Sequence, residues 1–420
     1  MVDSPKYIFY RVKFMLLELT KRSLNFKSLA KFLPYSPFVF AFIFVSRLLS
    51  PILLLRVGIL RSDRIGHFAS NTEVYLLNKL NNIDQPKVLT FDIWCFDETI
   101  CNKALESIIR KKLIIGPKKL LQYVVLLNKK IDPLSIFNIN HYPRDINSLR
   151  SQNPAILELS NYQNKKAQLE LKKFGIKEND KFVAMIIRDH VYLDRLNKKL
   201  NWEYHNYRDC NLNNYLLAAE VLTKYGFHVF RMGKFVDKKF ETANDKIIDY
   251  ANSPYRSDLL DIYIGANCEF CISTGTGYDL IPAMFRRPIV YADHAPLGTY
   301  PSYIPFSIGI FKQYYCKQTK RKLTLSEIIA KKAHYFSRTD QFKKAKIELL
   351  DNTPEEIKDI CLEMLQRLDK SWKKNDLDTQ LQEEFWNKYL SSDNYSESNH
   401  NKIVSKIGST FLRENLNLIN

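Results

Sequence analysis

The chain has 420 residues, 45% of them hydrophobic, with 26 Phe and 24 Tyr, so there is enough apolar material for two packed domains and disorder is not the default state. Sixty-three Lys and Arg against 45 Asp and Glu leave a net charge of +18, which calls for an anionic partner: a lipid surface, a nucleotide, an acidic glycan or nucleic acid. Seven scattered cysteines, an odd number in a long chain, exclude a disulfide-rich scaffold and point to a reducing, cytosolic setting.

Residues 1–34 carry seven Lys or Arg against Asp3 and Glu18, with Ile8, Val12, Met15, Leu16 and Leu19 at helical spacing. That pattern predicts a basic amphipathic helix suited to an anionic membrane surface. PFVFAFIFVSRLLS (37–50) follows, an apolar run broken by Arg47 and closed by Pro51. It is too interrupted for a clean span of about 20 apolar residues, and no small-residue cleavage site follows it. The expectation is peripheral attachment of segment 1–50 to the inner face of the cytoplasmic membrane. The alternative is that these helices pack on the body of the protein.

From Ile52 the pattern alternates between strand and helix. ILLLRVGIL (52–60) reads as a buried strand, RSDRIGHFASN (61–71) as a loop, NTEVYLLNKL (71–80) as a helix, KVLTFDIW (87–94) as a strand and ALESIIRKKL (104–113) as its helix. A linker is expected within 114–155, so residues 51–155 form a first Rossmann-like domain. Alternation restarts with a helix over 161–176, a strand over 181–187, a helix over 213–226, strands over 227–233, 246–251, 268–273 and 288–293, and helices over 258–266 and 278–285. Strands separated by helices predict a parallel sheet, here a second Rossmann-like domain over 156–310. The strands are expected to cease near 310, leaving 311–420 as a helical region packing across the domains. The predicted fold class is α/β, with two Rossmann-like domains facing a cleft.

The chemistry is expected at strand ends. Ser273, Thr274, Gly275, Thr276 and Gly277 fall at the carboxyl end of strand 268–273, where open α/β sheets bind ligands. Two glycines let the backbone approach a ligand closely, and a helix N-terminus with nearby hydroxyls suits a phosphate. The plainer alternative is a tight turn in which Thr276 and Asp279 form a capping box. Arg188 follows strand 181–187, and its planar guanidinium matches two phosphate oxygens; a structural pair with Asp189 or Asp194 is the alternative. In the first domain Asp63 and His67 hold the corresponding strand-end position and are candidates for a general base acting on an acceptor hydroxyl. Cys268-x-x-Cys271 lies on an apolar strand with no second pair for zinc and reads as core. Asp376-Leu377-Asp378 reads as a helix start, so no metal site is expected. No G-x-G-x-x-G follows an early strand, which disfavours a nicotinamide enzyme, and no nucleic-acid motif accompanies the positive charge.

The segments MIIRDHVYLD (185–194), NYRDCNLNNYLLAAEVL (206–222), HVFRMG (228–233) and SPYRSDLLDIYIGANCEFCISTGTGYDLIPAMFRRPIVYAD (253–293) resemble a family of bacterial glycosyltransferases of GT-B type. Looser similarity extends to heptosyltransferases and fucosyltransferases. SDRIGH (62–67) is similar to the heptosyltransferase acceptor loop, with His67 where an aspartate is usual. The resemblance implies transfer of a sugar from a nucleotide donor to a hydroxyl of a surface glycan or glycolipid, without metal and with inversion. It implies a diphosphate held by Arg188 and 273–277, and Asp63 or His67 as the base. The alternative function is a non-catalytic nucleotide- or glycan-binding protein.

Overall fold

A computed structural model describes residues 30–132, 135–140, 144–188, 191, 195, 202–391 and 403–419. Residues 1–29 of the expected amphipathic segment 1–34, and the Arg188 partners Asp189 and Asp194, lie outside the described residues. The chain divides into two compact units, Met1–Pro143 and Arg144–Asn420.

The first unit opens with α1 (Ser36–Leu49), followed by β1 (Leu53–Leu60), α2 (Ile65–Leu80), β2 (Leu89–Phe96), α3 (Lys103–Arg110) and α4 (Lys118–Ile131). β1 and β2 pair in parallel from Leu53↔Leu89 to Leu60↔Phe96. Isolated parallel bridges, Val57↔Asn138 and Trp94↔Ile115, add one further line of chain on each side. Gly58 is required by packing: a Cβ there would come within 2.5 Å of the Trp94 ring. Directly across the sheet, Arg56 meets its register partner Asp92 in a buried two-point ion pair, Nε to Oδ1 at 2.6 Å and Nη2 to Oδ2 at 2.8 Å. The Tyr75 hydroxyl and Lys79 ammonium also donate to Asp92. Burial alone would raise the Asp92 pKa, but these donors reverse it and hold the carboxyl below its ordinary value.

α2 differs from expectation by starting at Ile65, six residues before the predicted position. Its first turns bury Ser70, Asn71, Thr72 and Glu73, so polar residues face inward and the apolar periodicity that marks a helix in sequence is masked.

The second unit contains α5 (Asn161–Leu171), β3 (Phe182–Ile186), α6 (Leu216–Lys224), β4 (His228–Arg231), β5 (Ile247–Ile248), α7 (Asp258–Asn267), β6 (Cys271–Ser273), α8 (Leu280–Met284), β7 (Ile289–His294) and β8 (Ser307–Phe311). Continuing, β9 (Gln313–Cys316), β10 (Arg321–Lys322), α9 (Leu325–Ala330), α10 (Thr339–Lys344), β11 (Ile347–Leu350), α11 (Pro354–Leu368), α12 (Asp376–Leu390), β12 (Lys406–Ile407), α13 (Ser409–Glu414) and α14 (Leu416–Ile419) complete it. A seven-stranded sheet runs β12-β8-β7-β6-β3-β4-β5, every adjacent pair parallel. The protein is thus α/β, each unit built on parallel strands.

The strands do not cease near 310. β9, β10 and β11 form a separate antiparallel sheet in which Tyr314 and Cys316 face a small core with Ile328, Phe342 and Ile347. β12 adds to the edge of the main sheet beside β8. These strands are two to four residues long, too short to show a period in sequence. α11 begins as its sequence requires, with Thr353 and Glu356 closing a capping box ahead of Pro354.

Candidate functional site

The strand order places one site before any side chain is considered. From β3 the chain moves outward through β4 and β5, then returns to the other side of β3 to lay down β6, β7 and β8. β3 and β6 are neighbours across that reversal, and the connections leaving their carboxyl ends diverge. Such a switch point leaves a crevice where open parallel sheets take ligands. Arg188 leaves β3 and the loop 273–277 leaves β6, so the sheet sets these two sequence-predicted features side by side.

They are joined directly. The Arg188 backbone N–H donates to Thr274 Oγ1 at 3.0 Å, and the Thr274 N–H donates to Ile186 O at 3.3 Å. Thr274 is buried, and its hydroxyl fastens one strand end to the other. Ser273 is buried too: its Oγ donates to Asp279 Oδ2 at 2.8 Å and accepts the N–H groups of Gly275 at 3.0 Å and Thr276 at 3.4 Å. Two amides and one hydroxyl expected to face an anion are therefore committed within the loop. α8 is only five residues long, and its N-cap is Asp279, whose side chain turns back to Ser273. The expected helix over 278–285 is present but shorter, with Asp279 rather than Thr276 at its N-cap, and a helix this short offers little N-terminal dipole. Burial pushes the Asp279 carboxyl up to about 7, against the opposing effects of the Ser273 hydrogen bond and the Arg208 charge. Gly275 adopts φ +76°, and a Cβ there would come within 2.5 Å of His294 Nδ1 at the end of β7.

The cation that sequence reading missed is Arg208. It ends a 3-10 turn, Glu203–Arg208, and its Nη2 donates to Gly275 O. Asp209 beside it sits 3.5 Å from Arg188 Nε, an ion pair longer than a good hydrogen bond. Arg188 Nε and Arg208 Nε have no hydrogen-bond partner among the described residues. Burial, then the neighbouring Arg208 charge, lowers the Arg188 pKa to about 10, with Asp209 opposing. The guanidinium stays charged at neutral pH. The turn is tethered on its far side by Lys312, which follows β8 and donates to Asp209 O at 2.5 Å and Asp351 Oδ1 at 2.7 Å. The two guanidinium groups lie close enough for the Arg208 charge to act on Arg188, and positive charge gathered at a switch point suits a phosphate. The signal available in sequence was weak: an Arg-Asp pair in a polar stretch before a helix, with nothing to show that it folds over the strand ends.

In the first unit, Asp63 and His67 follow β1. Ser62 secures this turn by donating to Thr99 O at 2.6 Å and accepting the Asp97 N–H at 3.1 Å. Asp63 is half-buried, its Oδ2 3.7 Å from Arg64 Nε. His67 stands in the first turn of α2 rather than in a loop. Burial and then the Arg61 charge push its imidazole below the ordinary histidine value, with an Asn71 hydrogen bond opposing. It is therefore mostly neutral near pH 7 and able to accept a proton.

The remaining sequence features take structural places. Cys268 and Cys271 are buried thiols, Cys268 pushed up to about 12 by burial. Asn375 caps α12 by accepting from the Asp378 N–H, and Asp378 pairs with Arg413. Among the described residues no three His, Cys, Asp or Glu side chains cluster as metal ligands do.

No protein-family description matches the chain, and no curated protein does. Among solved structures, it is similar to a glycosyl transferase family 9 protein from Veillonella parvula DSM 2008, 12% identical with a TM-score of 0.41, over 74% of this chain and 97% of that one. It is also similar to the E. coli ADP-heptose LPS heptosyltransferase II, 10% identical with a TM-score of 0.41, over 75% of this chain and all of that one.

Proposed function

We propose that the protein is a glycosyltransferase that moves a sugar from a nucleotide-sugar donor to a hydroxyl of a surface glycan or glycolipid, by a metal-independent, inverting route. The observation that carries this reading is the pair Arg188 and Arg208 at the switch point between β3 and β6, beside a loop whose shape is held by its own hydrogen bonds. In the proposed reaction the bond between the anomeric carbon and the diphosphate oxygen breaks, and its electron pair leaves with the diphosphate. Arg188 and Arg208 offset that charge as it develops, from positions already set by Asp209, Lys312 and Gly275. Ser273 and Thr274 act by shaping the loop, while Gly275, Thr276 and the exposed Gly277 form the surface nearest the phosphates. The acceptor oxygen bonds to the anomeric carbon and gives its proton to a base. His67 fits that role better than Asp63, because its neutral form prevails near pH 7 while Asp63 lies beside Arg64.

The test is a thermal-shift titration with GDP, UDP, ADP and CMP and their common sugars, on the parent, Arg188→Ala and Arg208→Ala. A shift selective for one nucleotide, lost in both variants, supports the donor site and identifies the base for acceptor screens. Folded protein that responds to no nucleotide overturns it.

A further inference from the structure

We infer that α1 docks the protein onto an anionic phospholipid bilayer, lying in the plane of the interface with one face buried on the first unit and the opposite face in the lipid. This is independent of the glycosyl-transfer reading.

The helical stretch Ala30–Leu49 has a mean hydropathy of 1.6, yet only 17% of its apolar window is buried. The buried side is a stripe of Val39, Ile43 and Ser46, set against Val57, Cys95, Leu121 and Val124. Phe32 extends the contact, its ring 5.0 Å from Tyr123 and edge-on to it. Arg47 is the one charged residue between Phe32 and Ile52, and it points to the docked side. Its Nη2 donates to Asn128 Oδ1 at 2.8 Å and its guanidinium lies 3.9 Å from the centroid of Phe137.

The other side is apolar throughout. Phe38, Val45 and Leu48 recur at helical spacing, with Phe44 alongside; Phe38 is 67% exposed and Leu48 66%. A contiguous apolar face of this kind marks an interaction surface. Two observations select lipid. Residues 1–34, which lead into this helix, carry seven cations and two anions, a net +5 (7 − 2), and so suit an acidic headgroup layer. A second copy would bring an identical +5 segment against the first, which opposes pairing of these faces between two molecules. A spanning orientation would strip Arg47 from Asn128 and Phe137 and place the guanidinium in hydrocarbon. The interface plane keeps these bonds and buries the exposed face.

The experiment is co-sedimentation of the full chain with phosphatidylcholine vesicles, with and without phosphatidylglycerol. Two variants accompany the parent: Phe38→Glu/Phe44→Glu/Leu48→Glu, which alters only exposed side chains, and Lys21→Glu/Arg22→Glu/Lys27→Glu, which reverses charge in the basic segment 1–34. Binding that requires phosphatidylglycerol and falls at least about tenfold in each variant is the expected result. Circular dichroism establishes that each variant is folded. Three outcomes overturn the inference: equal binding by the parent and the apolar-face variant, no vesicle binding with a dimer that the same variant dissociates, or membrane retention of the parent through alkaline carbonate extraction, which would mean that the helix spans.

Discussion

Replacing Asp279 by Asn should flatten the pH dependence of stability. In the folded chain the carboxyl is enclosed and titrates at about 7, against 3.8 for its ordinary value. The folded pKa is the higher one, so this group's contribution to stability is fully present below about 3.8 and is lost as the pH rises through about 7. Integrated over that interval, the loss is about 4 kcal/mol, of which between about 2 and 3 kcal/mol falls between pH 5 and pH 8. Asp261 and Asp293, each raised to about 6 chiefly by burial, act in the same direction, so the parent shows a combined slope. The Asp279→Asn variant cannot ionise at this position, and the difference between the two slopes isolates Asp279, whatever constant offset the substitution adds. The assay is urea unfolding at pH 5, 6, 7 and 8 followed by tryptophan fluorescence. Three of the four tryptophans, Trp202, Trp372 and Trp386, belong to the second unit and weight the signal toward it. Parent and variant losing stability in parallel across this range would refute the view that an enclosed, ionisable carboxyl holds the Ser273 loop.

Gly275→Ala puts an L side chain at φ +76° and a Cβ against His294, and should lower stability by roughly 2–4 kcal/mol and abolish any nucleotide-induced thermal shift. A variant that melts with the parent and keeps the shift would show that the loop has room to spare. Asp92→Ala leaves Arg56 buried without its counter-charge, and a loss of about 3–5 kcal/mol is expected by urea unfolding followed by far-UV circular dichroism. If His67 is the base, its lowered pKa keeps it neutral at pH 7, so kcat/KM should fall on the acid side only below the ordinary imidazole value. His67→Asn should remove that limb along with most of the rate, and an unchanged acid limb would transfer the role to another group.

Much of the scaffold was legible because its signals are local. The glycine-closed helices ending at Gly175 and Gly226, the capping box before α11 and the apolar runs of β1, β3 and β7 each declare themselves within a few residues. The start of α2 was hidden because its first turns bury polar residues, and the sheet of β9, β10 and β11 because its strands are too short to display alternation. The loop 273–277 could be read as a strand-end feature, but its internal bonding could not. Whether Ser273 faces a ligand or Asp279 depends on the path of the chain after Gly277, and the sequence accommodates both.

Sequence alone determined the α/β character, the positions of Arg188 and the Thr/Gly loop at strand ends, and the excess of positive charge, since periodicity and composition act over neighbouring residues. Only the tertiary structure decided that β6 returns to the flank of β3, that Arg208 and Lys312 converge there from distant parts of the chain, and that α1 keeps Arg47 inward and Phe38, Phe44 and Leu48 outward. Those facts come from strand order and packing between distant segments, and no local propensity carries information about either.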